Sequence, residues 1–408
     1  MALTSSLKSG SSSSGPTRFI PTLFEMLSAL VAAPSVSCSD ARFDMGNRGV
    51  IDLLANWLDA LGFTVDIQPL ENNPDKANLI ATLGSGPGGL VLSGHTDTVP
   101  YDHHKWQSDP FRLVEREQRW YGLGATDMKG FFPVAIEAAK TFIDTPLQRP
   151  LIILATADEE SSMDGARELV AQGLADDNLT NRDLAKARFA VIGEPTDLKP
   201  MRLHKGMMME SLVITGRSGH SSDPSLGNSA LEAMHEAMAL LIDYRQELQS
   251  RYRNPAFQVE VPTLNLGCIH GGDSPNRICG ECELHFDLRP LPGMQLDELR
   301  SAIAQKLHPL AERRQVNIQL RSLFPGVQAF EQSANSALIK NVEQLTGYSA
   351  QAVGFATEAP FMQQLGMDAV ICGPGSIKQA HQPDEFIDTA QLQPAIEMIR
   401  GLIRKFCV

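Results

Sequence analysis

The sequence predicts an α/β protein: a mixed sheet flanked by helices, interrupted by a smaller α+β unit of ferredoxin-like order. Three observations predict it. Apolar runs at 89–92, 151–157 and 189–193 read as buried strands and alternate with helical patterns, as in a sheet with parallel members covered on both faces. Between about 211 and 322 the order changes to β-α-β-β-α-β, the split unit of a small α+β domain. After Pro325 the first texture resumes, and 408 residues exceed one compact core of usual size.

The elements follow in order. Residues 1–16 are rich in Ser and Gly and read as a disordered extension or an artificial remnant. Apolar spacing suits a helix over 17–34, and Val50, Ile51, Leu54, Trp57, Leu58 and Leu61 form an amphipathic helix stopped by Gly62. Strands are expected at about 63–70 and 77–83. The glycine-rich stretch 84–89 lacks the Gly-Lys-Ser/Thr ending of a phosphate loop and reads as a hairpin turn. The strand into His95 comes next, then a helix from Met128 to about 143. In the second unit, strands are expected at 211–215, 263–269, 281–289 and 316–322. Helices there cover about 225–250, with Leu231, Met234, Met238 and Leu241 on one face, and about 295–308. A helix at 338–346, a buried strand at 367–372 and a final helix at 389–406 complete the chain. The expected partition is therefore 17–210 with 323–408 as one domain, and 211–322 as an inserted one.

Composition narrows the partners. A formal net charge of −13 argues against nucleic acid or an anionic membrane surface. No apolar run reaches membrane-spanning length, and the N-terminus lacks the apolar core of a signal peptide, so a cytoplasmic location is expected. The cysteines are scattered, unlike a secreted disulfide framework. Cys279-Gly280-Glu281-Cys282 has zinc-ligand spacing but no second pair nearby, and reduced structural cysteines are the preferred reading.

The chemistry lies where the apolar strands end. The first runs into Ser93-Gly94-His95-Thr96-Asp97, the second into Asp158-Glu159-Glu160 and the third into Glu194-Pro195. In open α/β sheets that edge is where ligands bind. Each residue has a plain alternative: Asp127 as a helix N-cap, Glu159 and Glu160 as helix-starting acids, Glu194 in a simple turn. Those alternatives do not explain why successive buried strands deliver acids to one edge. Imidazole and carboxylate together are the usual ligands of a catalytic zinc ion with an open position for water. His95, Asp97, Asp127, Glu159, Glu160, Glu194 and His381 form the candidate constellation.

These segments, with Gly124-Ala125-Thr126-Asp127-Met128-Lys129-Gly130 and Ala380-His381-Gln382-Pro383-Asp384-Glu385, resemble the motif set of the dinuclear-zinc amidohydrolases. That family holds acetylornithine deacetylases, succinyl-diaminopimelate desuccinylases, aminoacylases and glutamate carboxypeptidases. The likeness covers nearly the whole chain from about residue 20. It is nearest the bacterial acetylornithine deacetylase branch through Arg202-Leu203-His204-Lys205-Gly206, Gly219-His220-Ser221-Ser222-Asp223-Pro224 and Gly373-Pro374-Gly375-Ser376-Ile377. The resemblance implies a zinc-hydrolase catalytic domain and an inserted lid that forms a homodimer. It implies two divalent metal ions, zinc by default, with cobalt or manganese able to replace it. Asp127 would bridge the ions, His95 and Glu194 complete one, and Glu160 and His381 complete the other. Asp97 would orient His95, and Glu159 would be the general base. His220 would reach into a partner's site to hold the oxyanion, Asn276 and Arg289 would hold the substrate carboxylate, and Glu358 would face a substrate ammonium. The implied reaction is hydrolysis of the acetyl amide of N2-acetyl-L-ornithine, a step of arginine biosynthesis. Alternatives are desuccinylation of succinyl-diaminopimelate, broad aminoacylase activity, or a catalytically silent amino-acid-binding protein.

Overall fold

The structure is a computed structural model that describes residues 20–175 and 184–408; the expectation for 1–16 lies outside them. In chain order its strands are β1 (Thr64–Pro69), β2 (Ala77–Leu83), β3 (Leu90–His95), β4 (Val114–Arg116), β5 (Arg119–Tyr121), β6 (Leu151–Thr156), β7 (Phe189–Pro195) and β8 (Met201–His204). They continue as β9 (Met208–Thr215), β10 (Thr263–Gly271), β11 (Glu281–Arg289), β12 (Asn317–Ser322), β13 (Phe330–Glu331), β14 (Gln351–Val353), β15 (Asp368–Gly373) and β16 (Phe386–Asp388).

The large sheet runs β1-β2-β6-β3-β7-β15-β8-β13, with β14 beside β8. Its centre is four neighbouring parallel strands, β6, β3, β7 and β15, flanked by antiparallel ones. This is the mixed α/β sheet that the apolar runs predict. The strands read as continuous apolar runs because both faces are covered. Leu90, Leu92, Leu151 and Ile153 point into a core with the helices Leu23–Val31, Arg48–Ala60, Phe131–Ala139 and Leu392–Phe406. Val91, Ile152 and Leu154 point the other way, against Leu169 and Phe361. Four parallel strands therefore end together, and their carboxyl edge faces one cleft.

The chain leaves the large sheet after His204 and rejoins it at Phe330. Between them lies an antiparallel sheet of order β10-β11-β9-β12. The helices Ala230–Arg251 and Leu296–Arg314 pack on one of its faces, burying Leu212, Ile214, Met234, Leu284, Phe286 and Ile303 in a core of its own. Along β11 the residues alternate, so Glu283, His285, Asp287 and Arg289 share the opposite, half-buried face.

Several elements differ from expectation. The helix after Asp127 begins at Phe131, because 124–130 first makes a turn that includes a cis Asp127–Met128 bond. The helix expected at 225–250 begins at Ala230, behind a short turn at Pro224–Leu226, and its buried stripe is Ala230, Ala233, Met234, Ala237, Leu241 and Tyr244. Leu231 is consequently 48% exposed. A three-stranded sheet, β16-β5-β4, has no counterpart in the apolar pattern, because its strands are only three residues each. Cys279 and Cys282 are buried and free. No helix among the described residues is long and apolar enough to cross a membrane.

Candidate metal centre

Each of the parallel strands delivers a polar residue to the cleft. His95 is the last residue of β3, and Glu194 lies near the end of β7. Gly193, just before it, packs so tightly on Phe131 that an added Cβ would lie 2.1 Å from the ring, which fixes how β7 presents Glu194. Beyond β6, Asp158 takes a left-handed conformation (φ 62°) and turns the chain so that Glu159 and Glu160 follow into the cleft. His381, also left-handed (φ 60°), hangs over the site from the loop after β15.

The side chains form two triads that share Asp127. His95, Asp127 and Glu194 make one, and Asp127, Glu160 and His381 the other. His95 Nε2 lies 3.2 Å from Asp127 Oδ1 and 3.9 Å from Glu194 Oε1. His381 Nε2 lies 3.5 Å from Asp127 Oδ2 and 3.1 Å from Glu160 Oε2. Donors bound tetrahedrally at about 2.0 Å would stand about 3.3 Å apart. The residues therefore fit a pair of ions, one on each oxygen of Asp127.

The charges agree with that fit. Asp97, Asp127, Glu159, Glu194 and Glu358 are buried and Glu160 is close to it, with the His95 and His381 imidazoles among them. Burial, then neighbouring acids, push Glu159, Glu160 and Glu194 above the ordinary carboxylate range. Burial pulls the His95 imidazole down, but contact with Asp127 and the charges of Glu159, Glu194 and Asp97 outweigh it and hold it well above its usual value. The hydrogen bond that His381 donates to Glu160 lifts its imidazole to about 9. Glu358 Oε1 is buried without a hydrogen-bond partner among the described residues. Such a knot of acids holding on to protons is what a cation site looks like before its cations compensate it.

Supporting contacts fix the donors. His95 Nδ1 meets the backbone carbonyl of Asp97 at 3.0 Å, closer than that residue's carboxylate at 3.6 Å. With Nε2 on a metal, Nδ1–H donates to this carbonyl. The Asp97 carboxylate instead accepts from the backbone N–H groups of Glu159 (3.2 Å) and Glu160 (3.1 Å), fastening the turn that carries them. Sequence reasoning gave no role to several further residues. Glu385 accepts from the N–H groups of Gly124, Thr126 and Asp127 at 3.0, 2.8 and 2.9 Å. Lys76 is buried at the start of the Asp158 turn, bonded to Asp158 and, at 2.7 Å, to Asp44. His204 accepts from the N–H of Thr357 and donates to the Lys205 carbonyl, holding the 357–358 turn. Of these, Glu385 and His204 stood in motifs, but nothing local signalled their bonds.

A cavity of about 1080 Å³ opens onto the site, with Glu159, Glu160, His285, Arg289 and His381 on its wall. Arg289 pairs with Asp287 at 2.9 Å. The other expected contacts lie elsewhere. Glu358 is 1% exposed and sits behind the wall, accepting from Thr156 Oγ1 at 2.9 Å. His220 and Asn276 are exposed on neighbouring loops joined by Ser221 N–H to the Asn276 carbonyl (3.1 Å), and neither borders this cavity in the single chain.

Residues 91–405 match the family described as peptidase family M20/M25/M40. The chain belongs to that family. It is 48% identical to the acetylornithine deacetylase of Pasteurella multocida (strain Pm70), over 95% of this chain and 99% of that one. It is 47% identical to the acetylornithine deacetylase of Proteus mirabilis (strain HI4320), over 95% and 98%. Among solved structures it resembles an M20 family metallo-carboxypeptidase from Sulfolobus solfataricus, with TM-score 0.73 and 18% identity over 94% of this chain and 99% of that one, a likeness of fold alone. M20 membership makes the chain a metal-dependent hydrolase and leaves the silent-binder alternative without support.

Proposed function

We propose that this enzyme hydrolyses the acetyl amide of N2-acetyl-L-ornithine to L-ornithine and acetate, in the cytoplasm and within arginine biosynthesis. The observation that carries the substrate is the likeness to acetylornithine deacetylases along nearly the full length of both chains. The reaction class is supported by the two triads sharing Asp127 beside a base without a ligand role, Glu159.

His95 and Glu194 would hold one divalent ion, Glu160 and His381 the other, with Asp127 between; zinc suits this donor set, and cobalt or manganese can substitute. When bound, such ions polarise the scissile carbonyl and lower the pKa of water held between them. Glu159 takes the proton of the attacking water and passes it to the leaving nitrogen. Its burial among acids suits it to keep a proton between the two transfers. Arg289, with its planar fork on the cavity wall, grips the substrate carboxylate. The unit built on β9–β12 acts as a lid and dimerisation domain. His220 and Asn276, which do not line the cavity of their own chain, serve the site of a second copy, His220 stabilising the oxyanion.

Steady-state kinetics of the metal-loaded protein on acetylornithine, succinyl-diaminopimelate and acetylmethionine tests this reading. We expect kcat/KM for acetylornithine to exceed that for succinyl-diaminopimelate by at least about a hundredfold. The reverse order would reassign the substrate.

A further inference from the structure

A second cavity, of about 440 Å³, lies on the other side of His381. The two cavities share Pro100 and His381. Val99, Tyr101, Trp106, Leu123 and Pro383 line one part of the smaller one, and Asp102, Lys105 and Gln382 line the rest. Its walls are built rather than loose. Tyr101 meets Phe111 edge-on at 5.1 Å, the Gln107 N–H donates to Asp384 Oδ1 at 2.8 Å, and the Leu123 N–H donates to the Pro110 carbonyl at 2.8 Å. The loop after β3 and the loop carrying His381 are thereby fastened together.

The chemistry of amide hydrolysis assigns sides to these cavities. Water oxygen bonds to the carbonyl carbon, the C–N bond breaks, and the nitrogen leaves with the proton that Glu159 carried. The leaving nitrogen must therefore lie on the Glu159 side, in the larger cavity with Arg289. The acyl substituent on the same carbon is directed away from the leaving nitrogen, and the hollow adjoining the larger cavity is the one that shares Pro100 and His381 with it. We propose that the 440 Å³ pocket is the acyl subsite and that it admits unbranched apolar acyl groups longer than acetyl. This rests on the amidohydrolase reading above and extends it to the acyl range.

Size and charge support the assignment. The volume falls within the range of small-molecule pockets, about 300–1,000 Å³, far beyond the need of one methyl group. Lys105 at the pocket is already paired with Asp102 at 3.1 Å, so the wall offers no unmatched positive charge to a second carboxylate. Apolar chains are thus favoured over succinyl. Each methylene buried should raise kcat/KM by up to about fourfold until the pocket is full.

The test is a series of N2-acetyl-, propionyl-, butyryl- and hexanoyl-ornithine with the metal-loaded enzyme, beside calorimetric binding of the same compounds to the Glu159→Gln variant. We expect butyryl to bind more tightly than acetyl and to be hydrolysed at least as well. Val99→Phe, which fills the pocket, should lower the butyryl-to-acetyl ratio in both measurements by about tenfold or more, and Trp106→Ala should also change it. A wild-type enzyme whose binding and turnover fall already at propionyl, or variants that leave the ratio unchanged, would overturn the subsite alone. A wild-type enzyme inert towards the whole series, acetyl included, would overturn the hydrolase reading with it.

Discussion

The backbone N–H of Asp127 donates to Glu385 Oε1 at 2.9 Å, across 258 positions of sequence. With the amides of Gly124 and Thr126 on the same carboxylate, this bond fixes the turn that aims Asp127 between the two histidines. Glu385 is 2% exposed, so water cannot replace it. Glu385→Ala leaves three buried N–H groups without their acceptor and should destabilise the protein by about 3 kcal/mol or more. Glu385→Gln, which keeps one acceptor oxygen, should fall between. Urea unfolding with equilibrium metal titration checks both; metal affinity untouched in a folded Glu385→Ala protein would separate this clamp from the centre.

Glu159 and Glu160 are neighbours with different surroundings, and their variants should part accordingly. Glu160 faces His381 at 3.1 Å within a triad, whereas Glu159 belongs to neither triad and borders the cavity. Glu159→Ala should lower kcat by about 10²–10⁴ while two ions stay bound, as expected for a lost general base. Glu160→Ala should lose an ion. Kinetics paired with elemental analysis reads both, and metal loss from the Glu159 variant would exchange the two roles.

His204 should make the fold acid-sensitive. Burial holds its imidazole down at about 4, against an ordinary value near 6.5. The unfolded chain therefore binds a proton that the folded chain refuses between those values. The contribution is fully present above about pH 6.5 and is lost as pH falls towards 4, by about 3 kcal/mol in all. His204→Gln should flatten the dependence of unfolding free energy on pH across that window. An unchanged slope would show that other groups set it.

Much of this centre was legible because its strands are buried on both faces. Continuous apolar runs at 90–92, 151–155 and 190–192 left their polar ends conspicuous, and those ends carry His95, Glu159, Glu160 and Glu194. The inserted sheet was legible from the alternation along 281–289, with Leu284, Phe286 and Leu288 turned inward. In Ala230–Arg251 the expected face held at Met234, Leu241 and the partly buried Met238 but not at Leu231, since the first turn of the buried stripe runs through Ala230 and Ala233, which carry little hydrophobic signal. The partners of Asp158 and Asp127 were also invisible. Lys76 reaches Asp158 across 82 positions and Glu385 reaches Asp127 across 258, and no local spacing encodes such a bond.

The central claim is that two divalent ions sit on either oxygen of Asp127. Anomalous diffraction at the metal absorption edge, from crystals of the metal-loaded protein, tests it most directly. Two peaks about 3.5–4 Å apart are predicted, one touching His95 and Glu194, the other Glu160 and His381, both touching Asp127. A single peak, or peaks away from Asp127, would contradict the account.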